Sequence, residues 1–213
     1  MRLVVVLTLT LLVGCRSVQS RTANEPVDVE ALPEANRRLT EGERVILEPI
    51  FRDGIDYEAV RIIHAAHPFQ PADTYMAPNG HIYAPGRLYR EDWAAPTVSP
   101  VARAELVHEM THVWQHANGV DVMVYCLEEL LHHGGDYDAT YPYTLVEGRD
   151  LSDYGIEQQA SILEDHYRIA VEGLYPVELQ NRDISLAERR RLFSSVLARF
   201  QADARYARTA HAR

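Results

Sequence analysis

Lysine is absent from this chain, cysteine occurs only twice, and no apolar run is long enough to cross a bilayer. Each absence narrows the possibilities. The longest apolar run, Leu3 to Val13, holds eleven apolar or threonine residues, whereas a spanning helix needs about 20. Cys15 and Cys126 cannot build a disulfide framework, so the fold must stand on its core. Positive charge is also scarce: 21 arginines face 31 acids, a formal charge of −10, which argues against a nucleic-acid partner. No repeat of roughly 20 to 50 residues recurs, which excludes a solenoid. The lack of lysine itself carries no functional conclusion.

What remains is the composition of one globular domain, 213 residues with 46% apolar and 24% charged side chains. The acids concentrate between Asp121 and Glu178, and the arginines after Leu179. Such a belt is first a solvated face, and secondarily a place that suits a cation or metal.

The amino terminus reads as an address. Met1-Arg2 followed by the short apolar run matches a secretory signal peptide. Leu12-Val13-Gly14-Cys15 resembles the lipobox of bacterial lipoproteins, which implies cleavage after residue 14 and lipid on Cys15. More than one acyl chain would hold the protein stably on a membrane. Arg16 is not the aspartate associated with inner-membrane retention, which favours an outer-membrane anchor. Residues 15–38 are then a lipidated cysteine and polar tether, 39–205 the folded domain, and 206–213 a frayed tail.

Within the domain, Thr40 and Glu43 form a capping-box pattern for a short helix before Pro49. Asn79-Gly80 predicts a hairpin with strands Thr74–Ala77 and His81–Ala84. Ser99-Pro100 starts a helix that Asn118-Gly119 stops. A further helix is expected from Ile156 to Gly173. Another opens at Ser185, with Leu186, Phe193, Val196, Leu197 and Phe200 as its core face. Cys126 sits in the apolar run Val122–Leu127, where an inert, buried thiol is the default.

The helix from Pro100 carries His108-Glu109-Met110-Thr111-His112. Histidines four apart leave one helix face about 6 Å apart, within reach of a single zinc ion. Glu109 projects about 100° round from His108, beside the position where water would bind, and suits a general base. Val107, Met110 and Trp114 fall on the opposite, core-facing side.

A third protein ligand is required. His116 lies about 12 Å along the axis from His108, too far. The metzincin pattern fails, because Gln115 and Asn118 stand where it requires glycine and histidine. A glutamate from a later helix is the remaining common solution. Glu157 is preferred, in the first turn of the next strong helix with small Ala160 one turn on. Glu164 is second, and the helically spaced pairs Glu128/His132 and Glu129/His133 are third. Tyr143, Tyr154 and His166 are candidate oxyanion donors, and His64, His67 and His81 are read as structural.

Leu39 through Glu43, Met76 through Tyr83, His108 through Gln115, and Tyr154 through Ala160 together resemble the zincin-like bacterial family of Vgr-related proteins. More distantly they are similar to the metallopeptidase core domain of extracellular contractile injection systems. The resemblance implies a gluzincin, with His108, His112 and Glu157 as zinc ligands and Glu109 as base.

The expectation is therefore an α+β, zincin-like fold. A small sheet and hairpin would pack on the HExxH helix, followed by a helical second half. It would bind one Zn2+ per chain and hydrolyse a peptide or protein substrate in the cell envelope. The alternatives are a zincin-fold binding or assembly protein without turnover, and a domain with no metal at all.

Overall fold

The computed structural model describes residues 35–206, apart from Phe69 and Ala72. The signal peptide, Cys15, nearly all of the tether and residues 207–213 lie outside the described residues. The order is β1 (Asn36–Arg37), α1 (Glu41–Phe51), β2 (Ile62–Ile63), β3 (Ile82–Tyr83), α2 (Pro100–Ala117), α3 (Val122–His132), α4 (Ile156–Ala170), α5 (Leu186–Val196) and α6 (Ala198–Ala202). The result is a mixed α+β fold, a three-stranded sheet beside a helical bulk.

The folded body begins inside the expected tether. β1 pairs antiparallel with β2, and the Arg37 guanidinium grips the buried Glu43 carboxylate through two hydrogen bonds of 2.7 and 2.9 Å. Glu43 also accepts from the backbone N–H groups of Thr40 and Trp93, so one carboxylate closes the helix cap and pins two loops. A buried charge held this way is satisfied, and the strand is the consequence. The Thr40 capping box forms as read, but α1 continues past Pro49 to Phe51. The carbonyl that Pro49 cannot bond belongs to Val45, which is exposed, so water can satisfy it.

The expected hairpin is reduced to a turn. Gly80 takes φ +83°, but only Met76 and Tyr83 bridge across. Ile82 and Tyr83 pair in parallel with Ile62 and Ile63 instead. Ile62, Ile63 and Ile82 are fully buried, the environment in which parallel pairs occur. A side chain at position 80 would also collide with the His116 ring, so glycine is needed there twice over.

α2 packs most extensively on α4, where Ala104 and Ala160, both fully buried, allow close approach. Ser99 caps α2 through the Ala102 N–H, and the helix ends before Gly119 at φ +89°. On its core side Val107, Met110 and Trp114 are buried, and the Trp114 indole donates to the Ala204 carbonyl at 2.6 Å. Tyr206, the first residue of the expected tail, is packed beside Trp114.

The last expected helix is two. α5 stops at Leu197 and α6 follows, with neither glycine nor proline to mark the break. Leu186 is half exposed and Leu192 takes its place in the core. α3 is a cap-initiated helix whose Val124, Leu127 and Leu131 face outward. Among the described residues no helix is long and apolar enough to cross a membrane.

Candidate metal centre

α2 and α4 bring His108, His112 and Glu157 to one point. One ligand atom from each lies within 4.8 Å of the other two. His108 Nε2 and His112 Nε2 are each 3.3 Å from Glu157 Oε2. Tetrahedral bonds of about 2.0–2.1 Å separate ligand atoms by about 3.3–3.4 Å. Two imidazoles and one carboxylate at that spacing fit a catalytic zinc in donor type and number.

The other ring nitrogens fix the orientation. His108 Nδ1 meets Glu164 Oε2 at 3.2 Å, and Glu164 Oε1 accepts from Arg168 at 2.9 Å. His112 Nδ1 meets Gln115 Oε1 at 2.9 Å. Gln115 is buried and anchored to α4, donating to the Ile156 carbonyl at 2.9 Å and to Gln159 Oε1 at 3.1 Å. Both histidines thus spend Nδ1 on an acceptor and turn Nε2 to the shared point, the usual arrangement of metal-ligating histidine. Glu164, the second candidate ligand, sits on the far side of the His108 ring.

Glu157 is held by its second oxygen. Oε1 accepts from the Tyr137 hydroxyl at 2.6 Å and lies 3.6 Å from the Cys126 sulfur. Burial, then the Glu157 charge, pushes the Cys126 thiol up, so it remains a thiol and a weak donor. The third candidates are placed elsewhere. Glu129 caps α4, accepting from the Ile156 N–H at 2.6 Å across a space that only Gly155 leaves open. Glu128, His132 and His133 are exposed.

Burial opposes ionisation of all three residues, yet the cluster overrides it. Hydrogen bonds to Glu157 and Glu164 raise His108 well above its ordinary range, and the Glu157 charge raises His112. The two imidazoles hold Glu157 well below the usual carboxylate range. The Glu157 charge thus favours positive charge at this point.

Glu109 stands beside the three without joining them. Its Oε2 is buried with no hydrogen-bond partner among the described residues, and burial raises its pKa. A buried carboxylate oxygen left unpaired costs free energy, which marks a functional position more than a structural one.

The three expected oxyanion donors are directed elsewhere. The Tyr143 hydroxyl donates to Asp165 Oδ2 at 2.9 Å, and the Tyr154 hydroxyl to the Thr144 carbonyl at 3.1 Å. His166 packs against Phe193. Nearness in sequence to Glu157 did not translate into a shared face. The aromatic wall comes instead from the turn at Tyr137–Thr140: the Tyr141 ring lies 5.8 Å from the His108 ring. No spacing signal connects that turn to α2. His64 stacks on Tyr89, His67 meets the edge of Tyr83, and burial pushes His81 down to about 4.

Beside His108 opens a cleft of about 410 Å³, walled by α2, α4, Tyr141 and the segment around Val177 and Glu178.

No family model matches the chain. In sequence, an alignment 138 residues long that covers 63% of the chain is 40% identical to the type VI secretion system spike protein VgrG2b of Pseudomonas aeruginosa. The chain spans 13% of that protein's length. In structure it superposes on the effector domain of Pseudomonas aeruginosa VgrG2b with a TM-score of 0.55 and 34% identity. That match covers 81% of this chain and 87% of the solved domain. The chain belongs to the family of the VgrG2b effector domain.

Proposed function

We propose that this chain is a zinc-dependent hydrolase of the zincin type that cleaves a peptide bond at the cell envelope. The observation that carries the reading is the convergence of His108 Nε2, His112 Nε2 and Glu157 Oε2, with Glu109 alongside, its Oε2 unpartnered among the described residues. Zinc held by these three residues supplies, when bound, the Lewis acidity that lets water attack a carbonyl near neutral pH. Glu109 takes the proton from the attacking water and returns it to the leaving amine. Its burial suits the first of these steps by raising its affinity for that proton. Tyr141 replaces the three earlier candidates as donor to the developing oxyanion. Burial and the Glu157 charge keep its phenol protonated, and it lines the cleft at His108.

In a protein that only binds, Glu109 Oε2 would stay buried without a hydrogen bond to no purpose, which favours turnover over the binding alternative. VgrG2b bears its related domain on a secretion spike protein, which supports a role for the fold in exported proteins. Here the lipobox-like Leu12–Cys15 would hold it on a membrane. Membrane fractionation of Cys15→Ala tests the anchor: the variant is expected in the soluble fraction, and unchanged membrane association would refute it.

The reaction is tested with an unfolded protein substrate such as casein and the purified protein. Cleavage is expected to stop with 1,10-phenanthroline and to return when zinc is restored in excess. Cleavage that continues undiminished after metal removal would overturn the proposal.

A further inference from the structure

We propose that the cleft beside His108 is a specificity subsite for a basic side chain, arginine or lysine, of the substrate chain. This rests on the hydrolase reading above and names the substrate class for it.

The walls of the cleft are chemically divided. Val101 on α2 and Val177 opposite are both more than 40% exposed, and both line it. Between them stand the carboxylates of Glu105, Asp138, Glu164 and Glu178. Arg168 also lines the cleft, but its guanidinium is taken up by Glu164 at 2.9 Å, and Glu164 is in turn occupied with His108. Glu105, Asp138 and Glu178 have no ion pair within 4 Å among the described residues. A long cationic side chain offers what this space lacks, an apolar stem for the valines and a charged tip for the acids.

A cluster of acids alone would be an ordinary solvated surface. Two features separate this one. Ser161, on α4, is 1% exposed, lines the cleft, and its hydroxyl has no hydrogen-bond partner among the described residues. A buried, unsatisfied hydroxyl at the wall of a cavity is an acceptor waiting for a donor from within it. The second is preorganisation. Asp165 accepts from the Val177 and Glu178 N–H groups at 2.7 and 3.1 Å and from Tyr143 at 2.9 Å. The backbone carrying Glu178 is thereby fixed against α4 before any ligand arrives. The Tyr143 hydroxyl therefore acts in building the subsite, at a distance from the reacting atoms. Burial, then the charge of Glu164 on Glu105 and of Asp165 and Glu164 on Glu178, raises the pKa of both carboxylates in spite of the arginines around them.

Two measurements test this. The first is binding of n-butylguanidinium to the purified protein by ligand-observed NMR, beside n-butylurea, its uncharged isostere. The cation is expected to bind at least tenfold more tightly, and Glu105→Gln/Glu178→Gln to remove that difference. Equal binding of the two probes by the unmodified protein would overturn the proposal. The second compares kcat/KM for peptides that differ only by arginine, norleucine or glutamate at each position flanking the cleaved bond. At one position arginine is expected to exceed norleucine at least tenfold, with glutamate lowest. Preferential guanidinium binding without cleavage of any peptide would uphold the subsite and defeat the hydrolase reading. Cleavage with no preference for arginine at any position would uphold hydrolysis and defeat the subsite.

Discussion

Glu109→Gln is expected to lower kcat/KM for peptide hydrolysis by about 10²–10⁴-fold, or about 3–5 kcal/mol of transition-state stabilisation. The amide keeps the size and burial of the carboxylate but cannot take a proton from water. Because Glu109 lies outside the His108, His112 and Glu157 group, zinc content should not change. Stability should be unchanged or slightly higher, since the wild-type carboxylate is buried with Oε2 unpaired. Kinetics and metal analysis on the same sample decide the matter. Full activity in the variant would remove Glu109 from the mechanism, and loss of zinc would recast it as a ligand.

Glu157→Ala is expected to abolish stoichiometric zinc binding. The substitution takes away the one carboxylate that both Nε2 atoms face, and it strands the Tyr137 hydroxyl. Gln115→Ala keeps all three ligands but removes the support of His112 and two hydrogen bonds to α4, and zinc affinity should fall by the 10–100-fold typical of outer-shell changes. Thermal melting gives a second readout. Zinc at a hundred times its Kd should stabilise the unmodified protein by about 2.7 kcal/mol and leave Glu157→Ala unmoved.

The pH dependence follows from the same groups. The raised pKa of His108 contributes stability to the metal-free protein that is complete below about pH 6.5 and lost as pH rises through the raised value. The lowered pKa of Glu157 contributes stability that is present above its ordinary value and lost as pH falls through the depressed one. Zinc must displace the protons on the histidines. Its binding therefore weakens in acid, and the rise in melting temperature that it produces should be larger at pH 8 than at pH 6. A rise that is larger at pH 6 would show that the imidazoles are not the ligands.

Much of this centre could be read from the sequence because its signals are local. Ser99, Pro100 and Gly119 bound α2, the spacing of His108 and His112 puts them on one face, and Glu157 sits in the first turn of a helix with small Ala160 behind it. What could not be read depends on contacts between distant segments. In the sequence Gln115 does no more than exclude another metal-binding pattern, yet it orients His112 from the buried side of α2. Glu164 looked like a competing ligand because it shares a face with Glu157, and only packing shows it on the other nitrogen of His108. Tyr137 and Tyr141 arrive on a short turn with no periodicity to reveal its direction. Tyr143 and Tyr154, closer to the motif in sequence, satisfy a loop instead. The parallel pairing of Ile62–Ile63 with Ile82–Tyr83 was hidden for a related reason. An Asn-Gly turn specifies a reversal of the chain but not which strand the returning segment will choose.

Metal content decides whether one zinc is held by His108, His112 and Glu157. Native mass spectrometry of the purified protein should find one zinc per chain, and none in Glu157→Ala prepared in parallel. An unmodified protein that carries no zinc, even after incubation with excess zinc and removal of the unbound ion, would contradict the account.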